Sequence, residues 1–423
     1  MTDSAATSSA DLSAYRAEIE SWLDANVPLR EPGAELRGTH HISPAELAQD
    51  RVRQRAIYEA GYLGITLPVE YGGQGLSRKH QQAWNVAAQR YDVPAPGGIA
   101  SHVTIGVIVP TLLAHASEDQ KRSWIPRMLS GEEIWAQLLS EPGAGSDLAG
   151  IQTRAVRDGD KWVLTGSKIW SSGAMCADYG ICLARTDWDV PKHKGLTWFK
   201  VPLHDEHVTV RPVREINGSA EFCEEFLDGV EVGDDMVIGE VNGGWPIAGT
   251  MLTLERGGGS GQSAVTVPPG PRRLAPDLVE LARQRGLTED RATRQLIAKA
   301  HINDYMQAQL TKRLAEAMMT GATDPAAASL IKLGMGINNP LRAAAAIEIA
   351  GRRGVAWTDG DPGEAVSINF LNGRIMSIAG GSNQIQRNII SERMLGLPRE
   401  VSVDSDKPFR EVLRDASKFG TKG

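Results

Sequence analysis

The feature that most constrains the fold is a change of hydrophobic period near Ile134. Upstream, apolar residues recur at helical spacing: Leu12, Tyr15, Ile19, Trp22 and Leu23 share one face and stop before Pro28. A second helical run from Pro44 to Ala60 leads into Gly61-Tyr62-Leu63-Gly64, and Tyr71-Gly72-Gly73-Gln74-Gly75 reads as a loop. Ser117-Glu118-Asp119-Gln120 has the form of a capping box and opens a helix that Ser130-Gly131 closes. From Ile134 onward short β-prone runs take over: Ile134 to Leu139, Ile151 to Val156, Lys161 to Leu164, Gly180 to Ala184, Leu196 to Val201 and Val208 to Val213. Asp158-Gly159-Asp160 between two of them is a hairpin signal. This compact all-β module ends near Val241-Asn242-Gly243-Gly244, and after Trp245 the chain reads as helical again. Met251 to Arg256 begins a helix that Gly257-Gly258-Gly259 weakens or ends, and Val267-Pro268-Pro269-Gly270-Pro271 is a linker. Glu289 to Thr320 and Pro325 to Ala350 are long alanine-rich helices, and Gln384 to Met394 is a final one.

A chain of 423 residues is long for one hydrophobic core, so several sub-domains are expected. The pattern divides it at residues 1–132 (helical), 133–243 (β) and 244–423 (helical), an α+β chain. A net charge of -7 without a long basic run argues against nucleic-acid binding. No apolar stretch reaches membrane-spanning length, and the polar start Met1 to Ala10 lacks a signal pattern and reads as a tail. The three cysteines (Cys176, Cys182, Cys223) have no paired metal spacing, which fits buried thiols in a reducing cytosol, so a cytoplasmic location is expected. The histidines show no HExxH arrangement, and His40-His41 reads as a surface loop. No metal site is expected.

Two segments carry chemistry. Ser140-Glu141-Pro142-Gly143-Ala144-Gly145-Ser146-Asp147 follows the apolar run Ile134-Trp135-Ala136-Gln137-Leu138-Leu139. Its glycines let the backbone approach a flat ligand, and Ser140 and Ser146 add hydroxyl donors. Downstream, Lys168-Ile169-Trp170-Ser171-Ser172-Gly173 places an indole two residues before a hydroxyl, which on a regular strand puts Trp170 and Ser172 on one face. Stacking plus a hydrogen bond to a ring edge suits a flavin. Each piece alone is also compatible with an ordinary loop and a core tryptophan. Together, in this order, they resemble the acyl-CoA dehydrogenase family, over about Leu12 to Arg399.

The resemblance implies a helical N-terminal domain, a central antiparallel β-barrel-like domain and a C-terminal four-helix bundle. It implies FAD as cofactor and the removal of a Cα proton and a Cβ hydride from an acyl-CoA. By resemblance the flavin lies on Gln137, Leu139, Ser140, Gly145 and Ser146 with Trp170 and Ser172. Ser140 stands beside the pyrimidine edge and Ser172 faces N5. Trp170 packs on the side away from substrate, near where an electron-transferring flavoprotein docks. Ser146 also lines the route of the thioester. Gln137 replaces a more common aromatic.

Many family members carry the catalytic base in Glu-Gly-Thr-x-Gln-Ile-Gln-Arg. Here the matching run is Gly380-Gly381-Ser382-Asn383-Gln384-Ile385-Gln386-Arg387, and the glutamate position is Gly380. A subset of the family carries the base immediately before an arginine on a helix. This chain has Glu255-Arg256 at that point, so Glu255 is the expected base and Arg256 its orienting partner. Read from spacing alone, the pair is equally a solvated helix end. Met251, Leu252 and Leu254 are apolar neighbours expected to desolvate the carboxylate. Gly380 retains a backbone N–H for the thioester oxygen. Ser382 and Gln384 match positions on the nucleotide half of FAD, usually that of a neighbouring subunit. The family's Arg-x-x-Phe-Gly pyrophosphate grip is replaced by Leu281-Ala282-Arg283-Gln284-Arg285-Gly286. Glu348 stands where a glutamine precedes a Gly-Gly pair, with Gly351-Arg352-Arg353-Gly354 following.

The expected activity is α,β-dehydrogenation of an acyl-CoA with electrons passed to an electron-transferring flavoprotein, by a homo-oligomer (dimer or tetramer). The small Ala379-Gly380 pair points to a branched, long or ring-bearing acyl group. The alternatives are an acyl-CoA oxidase of the same fold and a non-catalytic subunit of a mixed oligomer.

Overall fold

The computed structural model describes residues 9–30, 43–93, 99–255, 276–358, 362–402 and 404–420. Arg256, Gly257-Gly258-Gly259, the Val267–Pro271 linker and His40-His41 lie outside the described residues. So do residues 1–8 of the polar start, whereas Ser9 and Ala10 belong to helix Ser9–Asn26. Two compact units are present. The first comprises the described residues of Met1–Leu254 and of Ser402–Gly423; the second comprises Glu255 and the described residues of Pro269–Val401.

In the first unit, helices Ser9–Asn26, Pro44–Glu59 and Arg78–Ala88 bury Ile19, Leu23, Ile57, Tyr62 and Trp84 in one cluster. The expected capping box forms, Ser117 with Gln120 at the start of helix Glu118–Leu129, and a second one, Ser43 with Glu46, opens helix Pro44–Glu59. The strands are β1 (Trp135–Leu138), β2 (Arg154–Asp158), β3 (Lys161–Ser172), β4 (Tyr179–Arg185), β5 (Leu196–Pro202), β6 (Val208–Val213), β7 (Phe222–Gly233) and β8 (Val237–Ile238). They form one sheet in the order β6-β7-β3-β2-β4-β5-β8, with β1 on β4. Most neighbours are antiparallel; β1–β4 and the short β2–β4 contact are parallel. The hairpin between β2 and β3 turns at Gly159, whose φ of 61° suits a residue without Cβ.

Three strands differ most from the sequence reading, the two-residue β8 being absent from it. β3 runs on to Ser172 because β7 pairs along its whole length, and β7 itself escaped notice because Glu224, Glu225 and Asp228 interrupt its apolar alternation. A core of Leu112, Ile125, Met128, Trp135, Trp198, Ile247 and Met251 joins the helices to the sheet. Each fully buried large side chain of this kind contributes roughly 1.5–3 kcal/mol. Within it Lys200 pairs with Glu133 at 3.2 Å and lies 3.8 Å from the Tyr179 ring centroid, so the buried ammonium is neutralised and faced by aromatic density. Helix Gly244–Glu255 starts earlier than the expected Met251. Helix Phe409–Gly420 closes the unit, Phe409 lying under the Arg185 guanidinium at 3.8 Å.

The second unit is helical: Pro276–Gln284, Arg291–Met319, Ala328–Ala350, Pro362–Asn372 and Asn383–Ile389, the last continued by a wide turn over Ile390–Met394. Asp290 caps the longest of these by accepting from the Thr293 amide. Leu278, Ala282, Ala300, Ala345 and Ile349 form its buried contact, small residues that let helices approach closely.

Candidate functional site

In the first unit the two chemistry-bearing segments, far apart in sequence, are bound to each other. Ile169 N–H donates to the Ser140 carbonyl at 3.0 Å, and Lys168 Nζ donates to the Leu139 carbonyl at 3.0 Å and to Glu141 Oε1 at 2.9 Å. Glu141 also accepts from the amides of Gln152 (2.6 Å) and Thr153 (2.9 Å), so one carboxylate ties three stretches of chain. Burial alone would raise this carboxyl; Lys168 and the donated hydrogen bonds overcome that and hold it below the usual carboxylate range. Beyond it the chain reverses between Glu141 and Ala144 and leaves Gly145 and Ser146 exposed.

The expected strand geometry at Trp170 is corrected. β3 and β7 shift register between Ile169 and Ser171, so Trp170 is the extra residue of a bulge, and its φ is 69°. Strand alternation therefore does not set its direction. The indole is 55% exposed rather than core-packed, and meets the Phe222 ring edge-on at 5.8 Å. Phe222, whose ring the indole meets, pairs with Ser172 across the ladder.

Three observations test whether this surface fits a flat ring. Gln137 Nε2 is buried without a hydrogen-bond partner. A Cβ at Gly143 or Gly145 would meet no atom within 4 Å, so the loop offers open space along its backbone. The Trp170 indole is turned outward. An orphan amide, open glycines and a free aromatic face fit a flavin ring.

Sequence reasoning missed Glu225. It is buried opposite Lys168, its Oε2 accepts from Ser171 Oγ at 2.8 Å, and its Oε1 has no partner. Burial pushes this carboxyl up to about 8, against the Ser171 hydrogen bond and Lys168. The charged and titratable groups around it are Lys168 on β3, Glu224 and Cys223 on β7, and Cys182 on β4. Since the unfolded carboxyl titrates near ~4.3, the folded state holds the extra proton between there and about 8. The stability that Glu225 costs the fold therefore grows as pH rises through that window. Glu225→Gln should remove this part of the pH slope in denaturant titrations from pH 5 to 8. An unchanged slope would show the carboxyl to be ionised throughout.

In the second unit Gly380 and Gly381 both have positive φ, 64° and 95°, and Gln386 Nε2 holds their carbonyls at 3.0 and 3.1 Å. Gln386 is fully buried, another residue the sequence reading missed. A Cβ built at Gly380 would lie 3.5 Å from Glu255 Oε1 and 3.3 Å from Lys332 Cε. The alternative base position and the expected base are thus adjacent. Glu255 itself is exposed, whereas Met251, Leu252 and Leu254, the neighbours expected to desolvate it, pack in or against the core of the first unit. Ser382 caps helix Asn383–Ile389 by accepting from the Ile385 amide, and Gln384 is exposed. Glu348, Arg352 and Arg353 are exposed. Near them Arg285 has a buried Nε without partner, and its Nη2 is 3.5 Å from where a Gly351 Cβ would be. Among the described residues no helix is long and apolar enough to cross a membrane, and no cluster of metal-binding side chains occurs.

Comparison with known proteins assigns all three parts. Residues 9–132, 136–230 and 242–395 match the N-terminal, middle and C-terminal domains of acyl-CoA dehydrogenases. The acyl-CoA dehydrogenase IpdE1 of Mycobacterium tuberculosis (strain ATCC 25618 / H37Rv) is 34% identical over 92% of this chain and 99% of its own. The acyl-CoA dehydrogenase FadE34 of the same strain is 38% identical over 86% of this chain, which spans about half (49%) of that longer protein. Among solved structures, the steroid ACAD Tcur3481-Tcur3483 is 30% identical at a TM-score of 0.70, covering 93% of this chain and 99% of that one. The ChsE4-ChsE5 complex from Mycobacterium tuberculosis is 26% identical at 0.68, covering 94% of this chain and 100% of that one.

Proposed function

The chain belongs to the acyl-CoA dehydrogenase family, and on that premise we propose that it converts a bulky acyl-CoA to the trans-2-enoyl-CoA with FAD as cofactor. The observation that carries the reading is the adjacency of Glu255 to Gly380, since a carboxylate is present beside the position that the family motif more often fills with glutamate. Glu255 takes the Cα proton. The Gly380 N–H donates to the thioester oxygen as negative charge develops there, which stabilises the enolate-like transition state. FAD, when bound, supplies the acceptor for the hydride that leaves Cβ. Gln137, Leu139, Ser140, Gly145 and Ser146 hold the ring with Trp170 and Ser172, and Ser146 also borders the thioester. Ser382, Gln384 and the arginines 285, 352 and 353 serve the nucleotide half. Arg256 orients Glu255.

A larger acyl group is favoured by the missing side chain at Gly380 and by similarity to a steroid ACAD. The exposed indole of Trp170 supports an electron-transferring flavoprotein as acceptor, since it presents an aromatic surface to a partner. The functional domains are taken as 1–132, 133–243 and 244–423, the last including a terminal stretch that packs in the first unit. A second reading, a chain working in a mixed oligomer, draws on neighbours that are two-chain complexes.

The test is the visible spectrum of the purified protein before and after addition of acyl-CoA. A flavin band near-stoichiometric with chain should bleach with a ring-bearing acyl-CoA and less with a short straight one. A loaded protein bleached by neither would sink the dehydrogenase reading. Flavin held only after co-expression with a related chain would favour the mixed oligomer. Peroxide formed in air at the rate of bleaching would replace the flavoprotein acceptor by oxygen.

A further inference from the structure

Lys168 and Ser171 are three residues apart on β3, an odd spacing that on a regular strand places two side chains on opposite faces. Both are nevertheless buried, and both reach inward. Lys168 lies directly opposite Glu225 in the ladder, and Ser171 Oγ donates to Glu225 Oε2 at 2.8 Å. Two inward residues at odd spacing require one extra residue between them, and that residue is Trp170. The Ser171–Glu225 bond therefore exists only in the bulged register, and the bulged register is the one that turns the indole out.

Resting on the flavin reading above, we propose that Glu225 and Ser171 form a latch that sets where Trp170 stands on the flavin platform. Glu225 touches neither flavin nor substrate; it is a positioning residue acting through Ser171. Among the described residues, no other side-chain hydrogen bond holds Ser171 inward. Without the latch, regular alternation would put residue 170 on the buried face with Lys168, and the indole would leave the surface. The φ of 69° at a bulky residue is the conformation such a latch must sustain, because a tryptophan does not adopt it unaided. The unpartnered Oε1 fits this account as well: the carboxyl is retained for one hydrogen bond in an otherwise apolar setting.

The experiment uses the holoprotein and two readouts. Acrylamide quenching, taken as the difference between each variant and its Trp170→Phe counterpart, reports the exposure of this one indole among the ten tryptophans. The FAD dissociation constant, from flavin fluorescence on dilution, reports the platform. Glu225→Val and Ser171→Ala should roughly halve the quenchable signal of Trp170. They should also weaken FAD binding by roughly tenfold. Glu225→Gln, which still accepts from Ser171, should stay near wild type in both. In a Trp170→Ala background Glu225→Val should bring no further loss of FAD affinity. Unchanged quenching in both Ser171→Ala and Glu225→Val overturns the latch, as does an equal FAD loss with and without Trp170. Altered quenching with unaltered FAD affinity, in a protein where Trp170→Ala also leaves FAD bound, keeps the latch and removes Trp170 from the flavin platform.

Discussion

A Glu255→Gln enzyme is expected to lose turnover by a factor on the order of 10²–10⁴, the usual contribution of a positioned general base. The amide keeps the size of the carboxylate and most of its hydrogen bonding but accepts no proton. Because the interaction is made as the proton moves, kcat and kcat/KM should fall together, with KM little changed. Flavin content should stay near wild type, since none of the platform residues of the first unit is altered. Ordinary turnover in this variant would remove Glu255 from the chemistry. Moving the carboxylate to the family's more common place is not expected to restore full activity. Gly380 has φ 64°, where a side chain costs about 1–2 kcal/mol, and its Cβ would press on Lys332 Cε at 3.3 Å. The glycine in this turn and the glutamate on helix Gly244–Glu255 are therefore a matched choice. The turn that Gln386 holds has a shape that suits glycine, and the base is supplied from beside it.

The order of helices, sheet and helices was legible because hydrophobic period is a local property, and capping boxes and the Asp-Gly hairpin are local as well. The strand β7 was not legible, since its charged residues are reconciled only by partners distant in sequence, Glu225 by Ser171 and Lys168. The bulge at Trp170 failed for the same reason. Strand alternation predicts a face from spacing alone, while an extra residue is fixed by what the neighbouring strand offers. The site residues divide likewise. Glu255, Ser140 and Trp170 were named through the resemblance of their motifs, not through spacing alone. The exposure of Glu255 depends on where its apolar neighbours pack, and Gln386 does its work through carbonyls five and six residues back, which no residue pattern announces.

Breaking the Glu141–Lys168 pair is expected to have the largest effect on stability. Both side chains are buried, so removing one leaves the other as an uncompensated charge, at a cost of about 3–5 kcal/mol. Glu141→Gln should cost at least as much as Lys168→Met, because the new amide also points a donor at the N–H groups of Gln152 or Thr153. Replacing both residues by apolar ones should cost less than the sum of the single changes, since no orphan charge remains. The pH dependence has a definite sign. The folded carboxyl is held below its unfolded value, so its stabilisation is complete above the unfolded pKa of ~4.3 and is lost as pH falls through the folded one. Denaturant titrations at pH 7 and near pH 3 should therefore show wild type converging on Glu141→Gln in acid. Flavin release should accompany the loss at neutral pH, because the same carboxylate holds the Ser140 segment to the Trp170 strand. A Glu141→Gln protein that unfolds at the wild-type denaturant concentration would mean that backbone bonds such as Ile169 N–H to Ser140 suffice to join the two segments. The ion pair would then be only a neutral way of filling the space between them.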